Sequence, residues 1–213
     1  QGDWSSDVSS SDLILAAFAI ALCTPALAHA SYAEREDARA FAAEIASRHA
    51  LDAGEIERAL AGARHDPEVI RLITPPSRKG VRSWRSYRAR FLDRTRIDGG
   101  MRFWHEHADT LERAERETGV PAEVIVAIIG VETIYGRNTG NFETLSTLAT
   151  LAFDYPPRAE LFRRELEALF LLAREQGRDP ASYYGSFAGA LGYPQFLPSS
   201  MRAYAVDFDR NGA

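Results

Sequence analysis

One stretch limits what this chain can fold into. Val120-Pro-Ala-Glu-Val-Ile-Val-Ala-Ile-Ile-Gly-Val-Glu-Thr-Ile-Tyr-Gly-Arg-Asn-Thr-Gly140 is almost unbroken in its apolar character up to a single acid, Glu132. Pro121 suits the first position of a helix, and Glu123 suits the first turn, where the positive end of the helix dipole favours an acid. A helix apolar on nearly every face is expected to be buried rather than amphipathic. Glu132 stands at its far end, followed by Tyr135 and a glycine-rich turn signal, Gly136 to Gly140. A carboxyl presented by a buried helix is partly removed from water and tends to keep its proton, as a general acid working near neutral pH must. A plainer reading is also open, in which Glu132 is only the first solvent-facing residue after a core helix. The rest of the chain decides between them.

The start of the chain reads as something other than fold. Residues 1–12 are polar and foreign-looking, and Leu13 to Leu22 is an apolar run too short to span a bilayer. Ala28-His29-Ala30 has the small-x-small form of a signal-peptidase site, so residues 13–30 are expected to be a signal peptide cleaved after Ala30, and the protein periplasmic. Leu22 is bulky where a lipobox before Cys23 wants a small residue, which argues against a lipid anchor. Beyond Ala30 there is no cysteine, so the domain is expected to fold on its core without disulfides.

The formal charge is −5, and three of the acids (Asp3, Asp7 and Asp12) precede residue 31, where there is no base. The near-neutral remainder argues against nucleic acid as a partner. Residues 31–213 suffice for one domain with a real core. They read as successive helices over Ser31–Ala50, from Asp52, from Asp66-Pro67 to Leu72, Ser86–Leu92, Ile97–Glu117, Leu145–Phe153 and Arg158–Gln176. A basic irregular linker is expected over Arg78–Trp84. The fold class is all-α. His105 and His107 lie two apart on a helix and point in different directions, so no metal is assigned to them. The charged runs Arg113–Glu117 and Arg163–Glu167 read as solvated helix faces.

The second informative stretch is Ser182 to Ser200. Gly185, Gly189 and Gly192 permit close backbone approach, and Tyr183, Tyr184, Phe187, Tyr193 and Phe196 offer flat apolar faces beside Ser186 and Gln195. A sugar-binding groove needs such rings for C–H faces and such polar groups for hydroxyls. A tightly packed helix pair would use the same residues.

Three motifs in order, Val-Glu132-Thr-Ile-Tyr-Gly-Arg-Asn-Thr-Gly, Leu148-Ala-Thr-Leu-Ala-Phe-Asp-Tyr-Pro156 and Gly185-Ser-Phe-Ala-Gly-Ala-Leu-Gly-Tyr-Pro-Gln-Phe-Leu-Pro-Ser-Ser200, resemble the lytic transglycosylase B family of peptidoglycan-cleaving enzymes. The resemblance runs from about Glu34 to the last residue. It implies a lysozyme-like helical domain in which one acid, Glu132, makes both proton transfers. It implies substrate-holding roles for Ser186, Gln195, Tyr87 and Arg158. The family often has two arginines after Asp154-Tyr-Pro156; here Pro157 takes the first place. Two-carboxylate glycosidases set a second acid across the bond. Here only Glu143 and Asp154 are near in sequence, and a turn or a helix start explains each.

Asp207, Asp209 and Asn211 with Gly212 match the opening of an EF-hand-type loop, whose twelfth-position acid would lie beyond Ala213. A structural calcium in a longer protein is therefore expected, with no cofactor for catalysis. The chain reads as an incomplete catalytic domain. The expected partner is the peptidoglycan glycan strand, with cell-wall synthesis or division proteins as further partners. The activity implied is cleavage between N-acetylmuramic acid and N-acetylglucosamine with closure of a 1,6-anhydro ring. A lysozyme-type hydrolase and a non-catalytic peptidoglycan-binding fragment are the alternatives.

Overall fold

The helix at the centre of the main core is not the one ending in Glu132. In the computed structural model, which describes residues 31–76 and 83–208, every residue of α8 (Thr144–Phe153) is buried. Around it lie α1 (Glu36–His49), α2 (Ala53–Gly62), α3 (Pro67–Ile73) and α9 (Ala159–Glu175), which share one core with Leu148, Leu151, Phe162, Leu166 and Leu169 at its centre. The amphipathic spacing expected for α9 is observed, with Phe162, Leu166, Leu169 and Phe170 inward. The caps expected for α2 and α3 also form: Asp52 accepts from the Glu55 N–H at 2.8 Å, and Asp66 from the Glu68 N–H at 2.9 Å.

α8 carries four hydroxyl residues into this core, and those of Ser146 and Thr150 are bound. The Ser146 hydroxyl accepts from the Arg64 N–H, and the Thr150 hydroxyl from the Asp66 N–H. These bonds fix the turn between α2 and α3 against the central helix. Asp154, at the end of α8, accepts from the Tyr32 hydroxyl at 2.7 Å and from Arg35, and lies 3.0 Å from His65 Nδ1. It is therefore a structural hub rather than a mere turn residue.

A second, smaller group holds α5 (Arg94–Glu106), α6 (Ala108–Thr118) and α7 (Ala122–Thr133); α4 (Trp84–Ala89) precedes it. Three expectations change here. The single helix expected over Ile97–Glu117 breaks at His107, whose backbone leaves helical geometry so that Leu111 on α6 can reach Ala122 and Val126. Gly119, in the left-handed region with φ +73°, then ends α6, and Pro121 precedes α7. Nor is α7 buried all round. Only Ala122, Val126, Gly130 and Thr133 are covered, because α5 and α6 pack on one side alone. Val124, Ile128 and Val131 are exposed, as are Ile97, Met101 and Trp104 of α5.

The third correction concerns Arg163–Glu167. Glu165 is buried, and its carboxylate accepts from the backbone N–H and the hydroxyl of Ser199, at 2.9 and 2.7 Å. It thereby satisfies the first turn of α10 (Pro198–Tyr204), a helix that the sequence did not announce. A two-residue antiparallel ribbon completes the fold, β1 (Phe142–Glu143) on β2 (Tyr184–Gly185), with Phe142 opposite Gly185 and Glu143 opposite Tyr184. Residues 1–30, Asp209, Asn211 and most of the expected basic linker lie outside the described residues.

Candidate active site

Glu132 occupies the last turn of α7, and its side chain is exposed. The expected removal of this carboxyl from water is thus not found among the described residues, because the helix that carries it is covered on one side only. What is built around Glu132 is its backbone. Ile134 and Tyr135 both follow in the left-handed region, φ 53° and 59°, a strained pair of non-glycine residues.

Thr133 and Tyr135 hold that strained turn. The fully buried Thr133 hydroxyl accepts from the Gly136 N–H at 3.0 Å and donates to the Tyr193 carbonyl at 3.1 Å. Tyr135 folds back between α5 and α7, its hydroxyl donating to the Arg96 carbonyl at 3.0 Å. In return, Arg96 Nε donates to the Gly130 carbonyl at 3.2 Å. Glycine is required at Gly130, where a Cβ would come within 2.7 Å of the Tyr135 ring carbon Cζ. Burial pushes the Tyr135 hydroxyl up in pKa, so it stays a neutral donor. Neither Thr133 nor the role of Tyr135 was read from the sequence. The signal available was a polar β-branched residue directly after a lone acid at the end of an apolar helix.

The Ser182–Ser200 segment is brought onto this turn. Gln195 Nε2 donates to the Thr139 carbonyl at 3.1 Å and to the Gly192 carbonyl at 3.0 Å. Gly140 packs so closely on Gly185 and Ser186 that a Cβ there would lie 2.5 Å from the Ser186 nitrogen. The Ser186 hydroxyl accepts from the N–H groups of Ala188 and Ala190, at 3.2 and 3.1 Å, and so shapes its own loop. The Tyr193 ring lies over Gly136. Of the five aromatics, Tyr183 is buried, while Tyr184 and Tyr193 are exposed. The helix-pair alternative for this segment is excluded, since it is turns and bridges from Gly185 to Phe196.

Ser186 and Gln195 are thus joined to the turn that carries Glu132. Two other expected site residues are placed differently. Tyr87 lies exposed on α4, its ring 5.9 Å from Trp84 and 5.0 Å from Phe91. Arg158 is exposed, with its guanidinium 5.5 Å from the Phe162 ring, at the start of α9. Asp207 is exposed near the end of the described chain. The two acids weighed as a second carboxylate are both engaged: Glu143 accepts from the Ser146 hydroxyl, and Asp154 from Tyr32 and Arg35. Burial pushes the Asp154 carboxyl up, but these bonds together hold it below the usual carboxylate range.

Such an arrangement offers one uncommitted acid beside a rigid polar and aromatic wall, which suits a single-acid proton-transfer site facing a sugar. Comparison with known proteins gives the family. Residues 33–213 match the family described as the transglycosylase SLT domain. The chain is 41% identical over 190 residues to the membrane-bound lytic murein transglycosylase B of Escherichia coli K12, covering 85% of this chain and 52% of the relative. The chain therefore spans about half the length of the curated relative it matches. The crystal structure of the Escherichia coli lytic transglycosylase Slt35 in complex with calcium superposes with a TM-score of 0.79 at 42% identity, over 85% of this chain and 57% of that one. SltB3 from Pseudomonas aeruginosa in complex with NAG-anhNAM-pentapeptide gives 0.75 at 33% identity, over 83% and 47%. The all-α, lysozyme-like fold expected from the sequence is the one these structures share with the chain.

Proposed function

The chain belongs to the transglycosylase SLT domain family, and on that premise we propose that it is a lytic murein transglycosylase that uses Glu132 as its only proton carrier. The observation that carries this reading is the fastening of the Gly185–Phe196 wall to the turn after Glu132, through Gln195 on Thr139 and Thr133 on Tyr193. It ties the aromatic and amide groups of the wall to the turn that follows one acid, while Glu143 and Asp154 are occupied elsewhere.

In this reading Glu132 gives its proton to the oxygen between N-acetylmuramic acid and N-acetylglucosamine, and the muramoyl 2-acetamido group stabilises the developing cation. The Glu132 carboxylate then takes the proton of the C6 hydroxyl, whose oxygen closes the 1,6-anhydro ring. Atoms balance without water, so the step is a lyase reaction. The Gln195 amide nitrogen is spent on two carbonyls, leaving its oxygen to accept from the sugar; the Ser186 hydroxyl hydrogen is left to donate. Tyr87 and Arg158 extend the substrate contacts along the strand.

Residues 31–213 form the catalytic unit in this proposal, and residues 13–30 act as an export signal that delivers it to the periplasm, where peptidoglycan lies. No helix among the described residues is long and apolar enough to cross a membrane. Asp207, Asp209 and Asn211 supply hard oxygen donors of the kind calcium takes, and would give it a structural rather than a chemical part. The test is Glu132→Gln, assayed on purified sacculi. Loss of at least ~10²-fold is expected, the usual contribution of a general acid or base. Digestion near the parent rate would remove Glu132 from the mechanism.

A further inference from the structure

A second cleft opens where the ribbon meets the N-terminal helices. Its volume is about 430 Å³, and its walls include Arg64 and His65 from the turn between α2 and α3, Asn141 just before β1, Glu143 of β1 and Tyr184 of β2. The turn is rigid, because the Arg64 and Asp66 N–H groups are bound by Ser146 and Thr150 of the central helix. The ribbon is rigid too, with Glu143 registered opposite Tyr184.

The charges in this cleft are unequally engaged. Both acids are occupied: Asp66 accepts from the Glu68 N–H, and Glu143 from the Ser146 hydroxyl. His65 lies against Asp154. Arg64 is exposed, and its guanidinium makes no ion pair or hydrogen bond among the described residues. It shares the cleft with the exposed Asn141 and with Tyr184, which is 59% exposed. An uncommitted guanidinium in one cleft with an amide and a bare phenol ring suits a carboxylate carried on a peptide.

The cleft also continues the wall already described. Tyr184 is two residues before Ser186, and Asn141 follows Gly140, whose backbone packs on Gly185 and Ser186. A strand lying against Ser186 would therefore reach this cleft with its next substituent. The sugars of peptidoglycan are neutral; its carboxylates lie on the lactyl-linked stem peptides. We propose that the cleft is a stem-peptide subsite, in which Arg64 receives a peptide carboxylate and Tyr184 covers the peptide's flank. This rests on the reading of the protein as a peptidoglycan transglycosylase.

The test measures binding of the 213-residue chain to two soluble ligands, glycan strands bearing their peptides and the same strands stripped by an amidase, with the freed lactyl carboxylates then capped as methylamides. The parent is expected to favour the peptide-bearing strands about fivefold to tenfold, with the preference shrinking as salt rises, since a surface ion pair is screened. Arg64→Gln should bring the two affinities together, and Tyr184→Ala should narrow the gap. Equal affinities in the parent, or a preference that survives in Arg64→Gln, would overturn the subsite. Product analysis is read separately on both ligands. A preference for peptides without anhydro products would sink the activity and keep the subsite.

Discussion

Replacing Gly140 by alanine tests whether the wall beside Glu132 is held by close backbone contact. Gly140 has φ +94°, and a Cβ there would lie 2.5 Å from the Ser186 nitrogen and closer still to the Gly185 carbonyl. Both obstacles are backbone, so no side chain can swing away. The left-handed conformation alone costs a residue with a Cβ roughly 1–2 kcal/mol. Forcing a methyl against packed backbone adds about 1–3 kcal/mol. The stiffer unfolded chain returns about 0.4–1 kcal/mol. The net is a loss of about 2–4 kcal/mol. For a domain of this size 1 kcal/mol moves Tm by roughly 2–4 °C, so the variant should melt roughly 5–15 °C lower. Gly177 is the matched control, with φ +60° and nothing within 4 Å of an added Cβ. Gly177→Ala carries only the conformational cost less the same unfolded-chain return, and should melt no more than about 6 °C lower. At a temperature where both variants are folded, Gly140→Ala should also lose more than tenfold in kcat, because Ser186 and Gln195 move relative to Glu132. Equal melting of the two variants, measured by calorimetry, would refute the claim that this contact holds the wall.

Gln195→Ala should lower kcat about ten- to a hundredfold on soluble strands, and should also destabilise by about 1 kcal/mol, since two hydrogen bonds are lost; an unchanged kcat would return this segment to packing alone. Ser186→Ala should act in the same direction on kcat, but more weakly. Asp154→Asn should cost about 2–4 kcal/mol near pH 7, as expected for a half-buried carboxylate losing charge-assisted bonds from Tyr32 and Arg35. Because the folded state depresses the Asp154 pKa, its contribution is present above the unfolded carboxylate value and fades as pH falls through the folded one. Denaturant melts should show the gap between parent and variant closing below about pH 4; a constant gap from pH 7 to pH 3 would contradict this.

The helices with regular apolar spacing and short-range caps were legible in the sequence, α2 with Asp52 and α3 with Asp66 among them. The resemblance carried by the three motifs also pointed to the Ser186–Gln195 segment, which the structure fastens to the turn after Glu132. What misled was hydrophobicity without partners. α7 is the more apolar helix, yet α8, with four hydroxyl residues, is the one fully enclosed. The Ser146 and Thr150 hydroxyls can be buried because Arg64, Asp66, Tyr32 and Glu143 come to meet them, and these lie up to 118 residues away. Glu165 reads as a surface charge for the same reason: its partner Ser199 lies 34 residues further on. Local patterns disclose which residues form a helix; the contacts that bury a polar group are written far apart.

Mass spectrometry of the chain ends released from purified peptidoglycan tests the central claim most directly. Muramoyl ends lighter by one water than hydrolysed ends should form with the parent and be missing with Glu132→Gln. Ends carrying a full water, or strands left uncut by the parent, would contradict it.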